Sequence, residues 1–451
     1  MPLRPPRLLA ALASGVVLLG AAHPSPVAAG NGDAVPVSNE AALMGQAAVA
    51  NGTGAAALYY NPALLGRLEQ ARADVSGSAF HLRISQSPDL VTTPLVAVPV
   101  RNTEIVSIPS ALAYARPIGD DWRVGFGLFS PTAQEVQLSV ALDRMEGMRE
   151  GALRLTLMSE SALYVGVLSV ARKLAPGLWI GGSLEGVYAN TRTTTFLSGR
   201  LADAMGSIVV GTDEQSELTF GGMGAQLGLT WNATPRATVA LTVGSPVIAL
   251  SVRGRVRVTT TAGGGGELGG DGSTFETSET RLPSARIGPV EGLSVRAGAE
   301  VRATPRLRFA VDGEVWTPMT NEALGVSVRS FWNLRAGLEG QVASSIWLAG
   351  GLFTDRQGQE DVAAFAASSI DFWGLTAGAR WQSSYPLAAD QARERVTFGS
   401  VLAFRYAYGR GSVGGLRANL QAADEDTALV FRPAEFVQHE LGVHIGAWTA
   451  F

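Results

Sequence analysis

The chain has 451 residues, of which 46% are hydrophobic and only 16% are charged, and its formal net charge is −4. It contains 54 glycines and no cysteine. Mild acidity argues against a nucleic-acid partner, because such proteins carry a basic surface. The lack of cysteine excludes disulfides, thiol catalysis and lipoprotein acylation. We therefore expect no cofactor, and stability that comes from packing and hydrogen bonds alone.

The N-terminal residues have the pattern of a secretory signal peptide. Arg4 and Arg7 precede an apolar stretch at 8–22, and small residues follow at 27–29. The stretch is shorter than the about 20 apolar residues that a membrane-spanning helix needs. Residues 1–29 are therefore predicted to be removed on export.

The rest of the sequence alternates between apolar and polar residues with the period of a β-strand. In the run 293–302, Leu, Val and Ala alternate with Ser, Arg, Gly and Glu. Similar runs lie at 309–315, 334–342 and 397–409, and a further run at 441–451 ends on an aromatic residue. Only helices and closed barrels satisfy every backbone group in hydrocarbon, and no later segment is long and apolar enough for a helix. We therefore predict an outer-membrane barrel, with the apolar faces toward lipid and the charges inside.

Short and long connections alternate along these runs. Tight turns are predicted at 117–121, 174–177, 232–236, 303–306 and 343–345, and long loops near 85–109, 131–160, 193–218, 259–289, 318–329, 355–369 and 411–433. Together they give about fourteen antiparallel strands, with the tight turns in the periplasm. The predicted fold class is thus all-β, a transmembrane antiparallel barrel over residues 72–451.

Residues 30–71 have a different pattern. Ser38 or Asn39 can cap a short helix that runs through Met44, and Asn61 can cap another whose first residue is Pro62. A barrel of about fourteen strands encloses a lumen wide enough to leak. We therefore interpret residues 30–71 as a small helical hatch that plugs the lumen.

Two segments of this hatch resemble a known family. Ala-Val-Ala-Asn-Gly-Thr-Gly at 48–54, followed by Tyr-Tyr-Asn-Pro-Ala-Leu-Leu at 59–65, is similar to the hatch of the FadL/TodX outer-membrane transporters for long-chain fatty acids and other hydrophobic compounds. The segments 113–118 and 122–128 fit that family's strand, turn and strand order.

The resemblance implies a monomer with a hatch, an external capture groove, a lumenal binding site and lateral release beside the third strand. Asn61, Pro62 and Ala63 would then be hatch residues. Gly125 and Gly127 would permit a kink in the third strand, although glycines there also suit the ordinary pleat of a barrel.

Two predicted external loops carry apolar residues at roughly helical spacing. The residues are Leu138, Leu142 and Met145 in one loop, and Leu197, Leu201 and Met205 in the other. Such stripes with flexible methionines suit an irregular hydrophobic ligand, but they also suit loop cores that pack on the barrel rim.

A fatty-acid carboxylate would require a cation. Arg253, Arg255 and Arg257 share one face of a strand and are our candidates, with a solvated face above the membrane as the alternative. The predicted lumenal arginines at 296, 335 and 405 have acids nearby at 300, 312, 314 and 339, so most of them should form structural ion pairs.

Three functions remain open from the sequence. The preferred one is passive transport of a hydrophobic small molecule into outer-membrane lipid, without catalysis. A barrel whose loops bind a protein is the second, and a lipid hydrolase that uses His81, His439 or His444 is the third. No nucleophile motif or zinc motif supports the hydrolase.

Overall fold

The computed structural model describes residues 35–92, 97–142, 150–203, 206–266, 273–282, 288–321, 326–359, 368–386, 395–418 and 429–451. The predicted signal peptide lies outside these residues. Two short α-helices come first, α1 (Asn39–Leu43) and α2 (Ala55–Tyr60), followed by a 3-10 helix (Pro62–Arg67). Ser38 caps α1 by accepting a hydrogen bond from the Ala41 amide, as predicted. In this part of the chain no helix has the length and hydropathy of a membrane span.

The strands that follow are β1 (Arg72–Thr92), β2 (Ala97–Ile118), β3 (Trp122–Leu142), β4 (Glu150–Ala175), β5 (Leu178–Asp203), β6 (Gly206–Thr234), β7 (Ala237–Gly244), β8 (Ile248–Gly266), β9 (Ser273–Leu282), β10 (Ser294–Thr304), β11 (Leu307–Trp316), β12 (Met319–Asn321), β13 (Val326–Val328), β14 (Phe331–Ala343), β15 (Ile346–Asp355), β16 (Ser368–Pro386), β17 (Arg395–Ala418) and β18 (Leu429–Ala450).

These strands close into one antiparallel barrel. β1 pairs with both β2 and β18, and β5 pairs with β6, so the described wall has no open end. β7 and β8 pair with successive parts of β6 and occupy one position in the wall. β9 and β10 share the next position, while β12 and β13 form a separate hairpin. The wall therefore has fourteen positions, which confirms the predicted strand number.

The tight turns lie where the sequence predicts them, at 119–121, 176–177, 235–236, 305–306 and 344–345. We call this the turn end of the barrel and the opposite end the far end. The prediction of long loops was wrong over most of their length, because those segments continue as strands. β5 and β6, for example, pair from Leu178 to Asp203 without a shift in register. The far-end extensions of β1–β6, β8, β9, β17 and β18 form what we call the collar.

The outward face of the wall is apolar between two girdles of aromatic residues. Exposed aromatic side chains form a lower girdle near the turn end, at Trp122, Trp231 and Trp381. An upper girdle lies closer to the far end, at Tyr164, Tyr188, Trp332 and Trp373. Leucines such as Leu168, Leu184 and Leu338 fill the band between the girdles and are exposed. This is the pattern of a transmembrane barrel.

The lumenal face carries the charges that the sequence assigned to it. Arg296 and Arg335 both pair with Glu314, at 2.7 and 2.8 Å. Arg405 pairs with Glu440 at 2.5 Å. The prediction that most of these arginines form structural ion pairs is therefore confirmed.

Candidate functional site

The N-terminal segment 35–71, which we call the plug, lies inside the barrel, and most of its residues are buried. α1 contacts β15–β18, α2 contacts β2–β4, and the 3-10 helix contacts β3–β6. Inward-facing glycines receive the plug. A Cβ atom on Gly337 would lie 2.5 Å from the Met44 carbonyl oxygen, and one on Gly181 would lie 2.5 Å from the Ala63 amide nitrogen. Plug and wall therefore fit each other without room for larger side chains at these positions.

Asn61 joins the plug to the wall. Its Oδ1 accepts a hydrogen bond from the Ala63 amide at 3.0 Å and caps the 3-10 helix that begins at Pro62, as predicted. Its Nδ2 donates to the Val49 carbonyl at 3.1 Å and to Thr230 Oγ1, on β6, at 3.2 Å. Since the side chain is fully buried, the loss of these partners would leave polar groups unsatisfied.

Ion pairs hold two other points of the plug. Arg72, at the start of β1, pairs with Asp74 at 2.7 Å and with Glu40 of α1 at 3.3 Å. Arg67 of the 3-10 helix pairs with Glu300 of β10 at 2.6 Å. Because buried pairs lose much of their attraction to desolvation, we infer that they fix the position of the plug more than they stabilise the fold.

The wall is broken between β2 and β3. β2 pairs with β1 along most of its length, but it pairs with β3 only over Ala111–Ile118. Immediately toward the far end, β3 shifts its register against β4 between Phe129 and Thr132. Pro131 lies in this shift and has no N–H to offer a neighbouring strand. We call the unpaired stretch, 97–110 of β2 and 130–142 of β3, the lateral opening.

The plug reaches this opening at two points. The Val35 amide donates a hydrogen bond to the Pro131 carbonyl at 3.2 Å. The ring of Tyr59, in α2, lies 5.2 Å from the ring of Phe129 and 5.0 Å from that of Tyr60. The last aromatic residues of α2 therefore sit at the lower edge of the lateral opening.

The lumen beside the opening is apolar. One buried cluster includes Leu58 and Tyr60 of the plug with the wall residues Phe129, Leu163, Val165, Val187, Phe220 and Val252. A second cluster lines the collar and includes Leu90, Val100, Val140, Leu155, Leu157, Leu197 and Leu416. Most of the buried charges lie on β10, β11, β14, β17, β18 and β1, and Arg83 of β1 pairs at 3.3 Å with Glu104 in the unpaired stretch of β2. The lumen beside the opening is therefore apolar along β3–β5 and carries this ion pair along β1 and β2.

The comparison with solved structures agrees with this architecture. A FadL homologue of Pseudomonas aeruginosa superposes with a TM-score of 0.58 at 11% identity, over 91% of this chain and 97% of that one. The chain has the FadL/TodX fold. The CymD monoaromatic hydrocarbon channel gives a TM-score of 0.51 at 15% identity, over 92% of this chain and 97% of CymD. The P. putida toluene transporter TodX gives 0.50 at 13% identity, over 91% and 98%. No family model matches the chain, and no curated protein matches it in sequence.

Within this FadL/TodX fold, Gly125 and Gly127 lie below the lateral opening, in the paired part of β3. A Cβ atom on Gly125 would lie 2.8 Å from Leu58 Cδ2, and one on Gly127 would lie 2.6 Å from Phe129 Cζ. These glycines make room for side chains of the plug and the lumen. The sequence signal for the break is Pro131 inside a strand run, which our interpretation of the sequence missed.

The proposed capture residues fall in the collar. Leu197 points inward and belongs to the collar cluster. Leu138, Leu142 and Leu201 lie on β3 and β5, but their side chains are outside the described part of the structure, as are Met145 and Met205 altogether. The helical spacing is not realised at 138–142 or 197–201, because both segments are strands.

The proposed carboxylate-binding arginines point away from the lumen of the FadL/TodX barrel. Arg253, Arg255 and Arg257 are exposed on the outer face of β8, whereas Val252, the neighbour of Arg253, is buried inside. Arg255 lies 3.8 Å from Glu217 on β6. A ligand that used these arginines would therefore have to lie outside the barrel.

The lumenal charge cluster around Glu440 was not anticipated from the sequence. Glu440 pairs with Arg405 and, at 3.2 Å, with Arg83, and it lies 3.7 Å from His81. Extension of the alternating run at 441–451 by one residue toward the N-terminus would have placed Glu440 in the lumen.

None of the three candidate histidines has a nucleophile as its partner in the described part of the chain, and His444 is buried there without a hydrogen-bond partner at either ring nitrogen. His81 faces Glu440, and His439 Nδ1 lies 3.0 Å from the Tyr406 hydroxyl. No serine is hydrogen-bonded to a histidine among the described residues, and no group of acids and histidines there could hold a metal ion. The far-end connections on which a protein-binding role would depend lie largely outside the described ranges.

Proposed function

We propose that this protein is a passive transporter that carries hydrophobic small molecules into the outer membrane. One observation carries the proposal, namely the lateral opening between β2 and β3 beside an apolar lumen and above a seated plug. A solute that enters at the collar meets apolar side chains as far as Phe129, where the wall opens toward the apolar band. A hydrophilic solute gains nothing from this route, because leaving water for hydrocarbon is unfavourable for it.

The outer surface supports a location in the outer membrane. A closed barrel with an apolar band between two aromatic girdles suits the outer membrane of a Gram-negative bacterium. Export would require the predicted signal peptide at 1–29, and residues 30–71 would then form the hatch of a monomeric barrel at 72–451.

For the cargo we propose an uncharged hydrophobic compound in preference to a long-chain fatty acid. Two of the similar structures are described as a toluene transporter and a monoaromatic hydrocarbon channel, which supports this class. A fatty acid would bring its carboxylate into a lumen where Arg83 and Arg405 already pair with Glu440. It would have to compete with that acid, whereas a hydrocarbon would not.

We further propose that α2 acts as the gate. Tyr59 packs against Phe129 at the lower edge of the opening, so a shift of α2 widens the route from the lumen. When Tyr59 moves away, the apolar surface of the cargo can cover the Phe129 ring in its place, so that the ring stays out of water.

Transport through the lateral opening is tested by a disulfide that closes it. Ser110 and Ser130 adjoin Ala111 and Phe129, the last paired residues of the two strands. In the double variant Ser110→Cys with Ser130→Cys no other intramolecular disulfide can form, because the chain has no native cysteine. In outer-membrane vesicles, whose lipopolysaccharide leaflet slows the entry of hydrocarbons, the reduced variant should increase the passage of labelled toluene, the oxidised variant should not, and reduction should restore the increase, while sucrose stays excluded.

The control variant is Leu112→Cys with Leu128→Cys, which joins the same strands where they already pair and should not affect transport. Equal toluene passage in oxidised and reduced forms of the test variant would refute lateral release. If a labelled long-chain fatty acid passes and toluene does not, the proposed cargo class is wrong but the route is retained. Failure of every solute would refute the transport proposal itself.

A further inference from the structure

The outer wall carries a groove that the transport route does not use. It lies on the turn-end half of β2–β6 and has a volume of about 750 Å³, within the range of small-molecule sites of about 300–1,000 Å³. Its walls are outward-facing apolar side chains, chiefly Phe126, Leu168, Leu184 and Leu227. The three leucines are more than half exposed, Leu168 at 65%, Leu184 at 58% and Leu227 at 67%. Because this surface faces the apolar band, hydrocarbon must fill the groove.

The floor of the groove is formed by a residue without a side chain. Gly182 lies between Val170 of β4 and Leu227 of β6, with which it pairs directly. Its missing Cβ atom would have no neighbour nearer than Leu227 Cδ2, at 3.6 Å. The next outward row toward the far end holds Leu168 and Leu184, which pair with each other and close the groove on that side.

Cations lie at the turn-end margin of the groove. Arg116 lines the groove itself and is exposed. Arg172 is exposed one row closer to the turns, with its guanidinium carbon 5.1 Å from the ring centre of Trp122. Neither arginine forms an ion pair with a described residue. Trp122 belongs to the lower aromatic girdle, so both cations lie where lipid head groups begin.

We propose that this groove is a binding site for one phospholipid of the leaflet at the turn end, with an acyl chain over Gly182 and the phosphate between Arg116 and Arg172. The apolar walls and the cationic margin match the two parts of such a lipid. A second copy of the chain would have to fill the depression with protruding side chains and to bury both arginines without a counter-charge, which is unfavourable. The site does not depend on the proposed transport function, since it lies on the outer face of the barrel.

The site is tested with the full-length protein in vesicles of phosphatidylethanolamine and phosphatidylglycerol. A trace of phosphatidylglycerol with a photoactivatable acyl chain is cross-linked to the protein, and the labelled peptides are mapped by mass spectrometry. In the wild-type protein, labels should concentrate on Phe126, Leu168, Leu184 and Leu227. Gly182→Leu fills the floor and should lower this labelling several-fold.

Gly313→Leu is the matched control. Gly313 is an outward-facing glycine of β11 whose missing Cβ atom would also lie 3.6 Å from a leucine, Leu334. It should leave the labelling of the groove unchanged. Heat-modifiable migration on gels checks that each variant is folded, so that a loss of labelling cannot come from misfolding.

The head-group contact is measured separately, by native mass spectrometry of retained phosphatidylglycerol. Arg116→Gln with Arg172→Gln should reduce retention several-fold, and Arg236→Gln, an exposed arginine at another turn, should not. Labels spread evenly around the apolar band, or unchanged in Gly182→Leu, would overturn the proposal. So would a groove that is protected from lipid because two copies of the chain meet there.

Discussion

Two buried polar residues, Asn61 and Arg72, each contact both the plug and the wall. Asn61 caps the 3-10 helix and also binds Thr230 of the wall. Arg72 begins the first barrel strand and also holds Glu40 of α1. Because these groups are buried, each must be satisfied in the seated plug, and each loses partners when the plug moves. We infer that they set the energy difference between the seated and displaced positions.

Replacement of Asn61 by alanine should destabilise the seated plug by about 1–3 kcal/mol, the usual cost of unsatisfied buried groups. Asn61→Asp keeps the acceptor for the Ala63 amide but sets a buried carboxylate against the Val49 carbonyl, so at neutral pH it should destabilise the seated plug at least as much as alanine. Susceptibility of the plug to protease in detergent measures the difference. Equal protection of all three proteins would show that Asn61 does not hold the plug.

The collar should respond to pH through Glu214. This residue lies well above the upper girdle, is buried, and has one carboxylate oxygen without a described partner. Burial raises the pKa of Glu214 to about 7. Between the ordinary pKa of about 4.5 and pH 7 the folded state holds a proton that the unfolded chain has lost, so stability falls as the pH rises through this range.

Glu214→Gln imitates the protonated acid and should remove this loss. At pH 8 the variant should be more stable than wild type by up to about 3 kcal/mol, and at pH 4 the two should be equal. Thermal melts of the purified barrel at the two pH values make the comparison. A wild-type melting temperature that does not fall between pH 4 and pH 8 would contradict the assignment.

At the scale of elements, β3 and β5 differ in how far they pair with their neighbouring strands, and this difference determines where the wall is closed and where it is open. β5 pairs on both sides over its full length and forms unbroken wall. β3 pairs with β4 along its length except at the register shift between Phe129 and Thr132, but it loses β2 beyond Phe129, next to Pro131. The plug contacts both strands on their lumenal side. The same wall therefore combines a rigid support for the plug with a route past it.

A larger side chain on the lumenal face of β5 should unseat the plug. In Gly181→Leu the added Cβ atom would lie 2.5 Å from backbone atoms of Pro62 and Ala63, which cannot yield as a side chain can. We expect a folded barrel that admits labelled sucrose into vesicles. In Gly340→Leu, on the outer face of β14, the added Cβ atom would lie 3.5 Å from Leu307 Cδ1 and 4.0 Å from the Arg306 carbonyl oxygen, and this variant should keep sucrose out. A sucrose-tight Gly181→Leu protein would mean that the plug yields without leaving its seat.

The sequence predicted turns and faces well because their signals are local. Proline and glycine mark the turns at 176–177 and 235–236, and period-two alternation assigns each residue of 293–302 to one face. Strand ends were not predictable in the same way, since the collar alternates as the membrane part does. The lateral opening depends on which strand fails to find a partner, a property of two distant segments. Gly125 and Gly181 contact the plug, but in the sequence they look like any glycine of a barrel wall.

At the scale of the whole molecule, the wall and the plug are held by different forces. Hydrogen bonds between strands close the wall, and the strand pairing itself involves no residue of 35–70. The plug is held by close packing against inward glycines and by buried polar contacts, such as the 2.7 Å bond from the Val49 amide to Asp312. The barrel should therefore stay folded under denaturing conditions that already displace the plug.

Deletion of residues 35–69 should leave a folded barrel that conducts ions. Lumenal acids such as Glu300 and Asp312 lose their plug partners, but water that enters the lumen can solvate them. Planar-bilayer recordings should give a steady conductance that the full-length protein lacks, and heat-modifiable migration should persist. A folded deletion variant that does not conduct would show that the collar alone closes the pore.

The pairing of the first and last strands constrains the order in which the barrel and the plug assemble. β1 follows the plug directly in the chain and pairs with β18, and Ala71 and Phe451 exchange backbone hydrogen bonds at 2.9 and 3.1 Å. The plug touches strands from β2 to β18, so its seat is complete only when the last hairpin is in place. We therefore expect biogenesis to end with the plug, which can reach its final position no earlier than the pairing of the first and last strands.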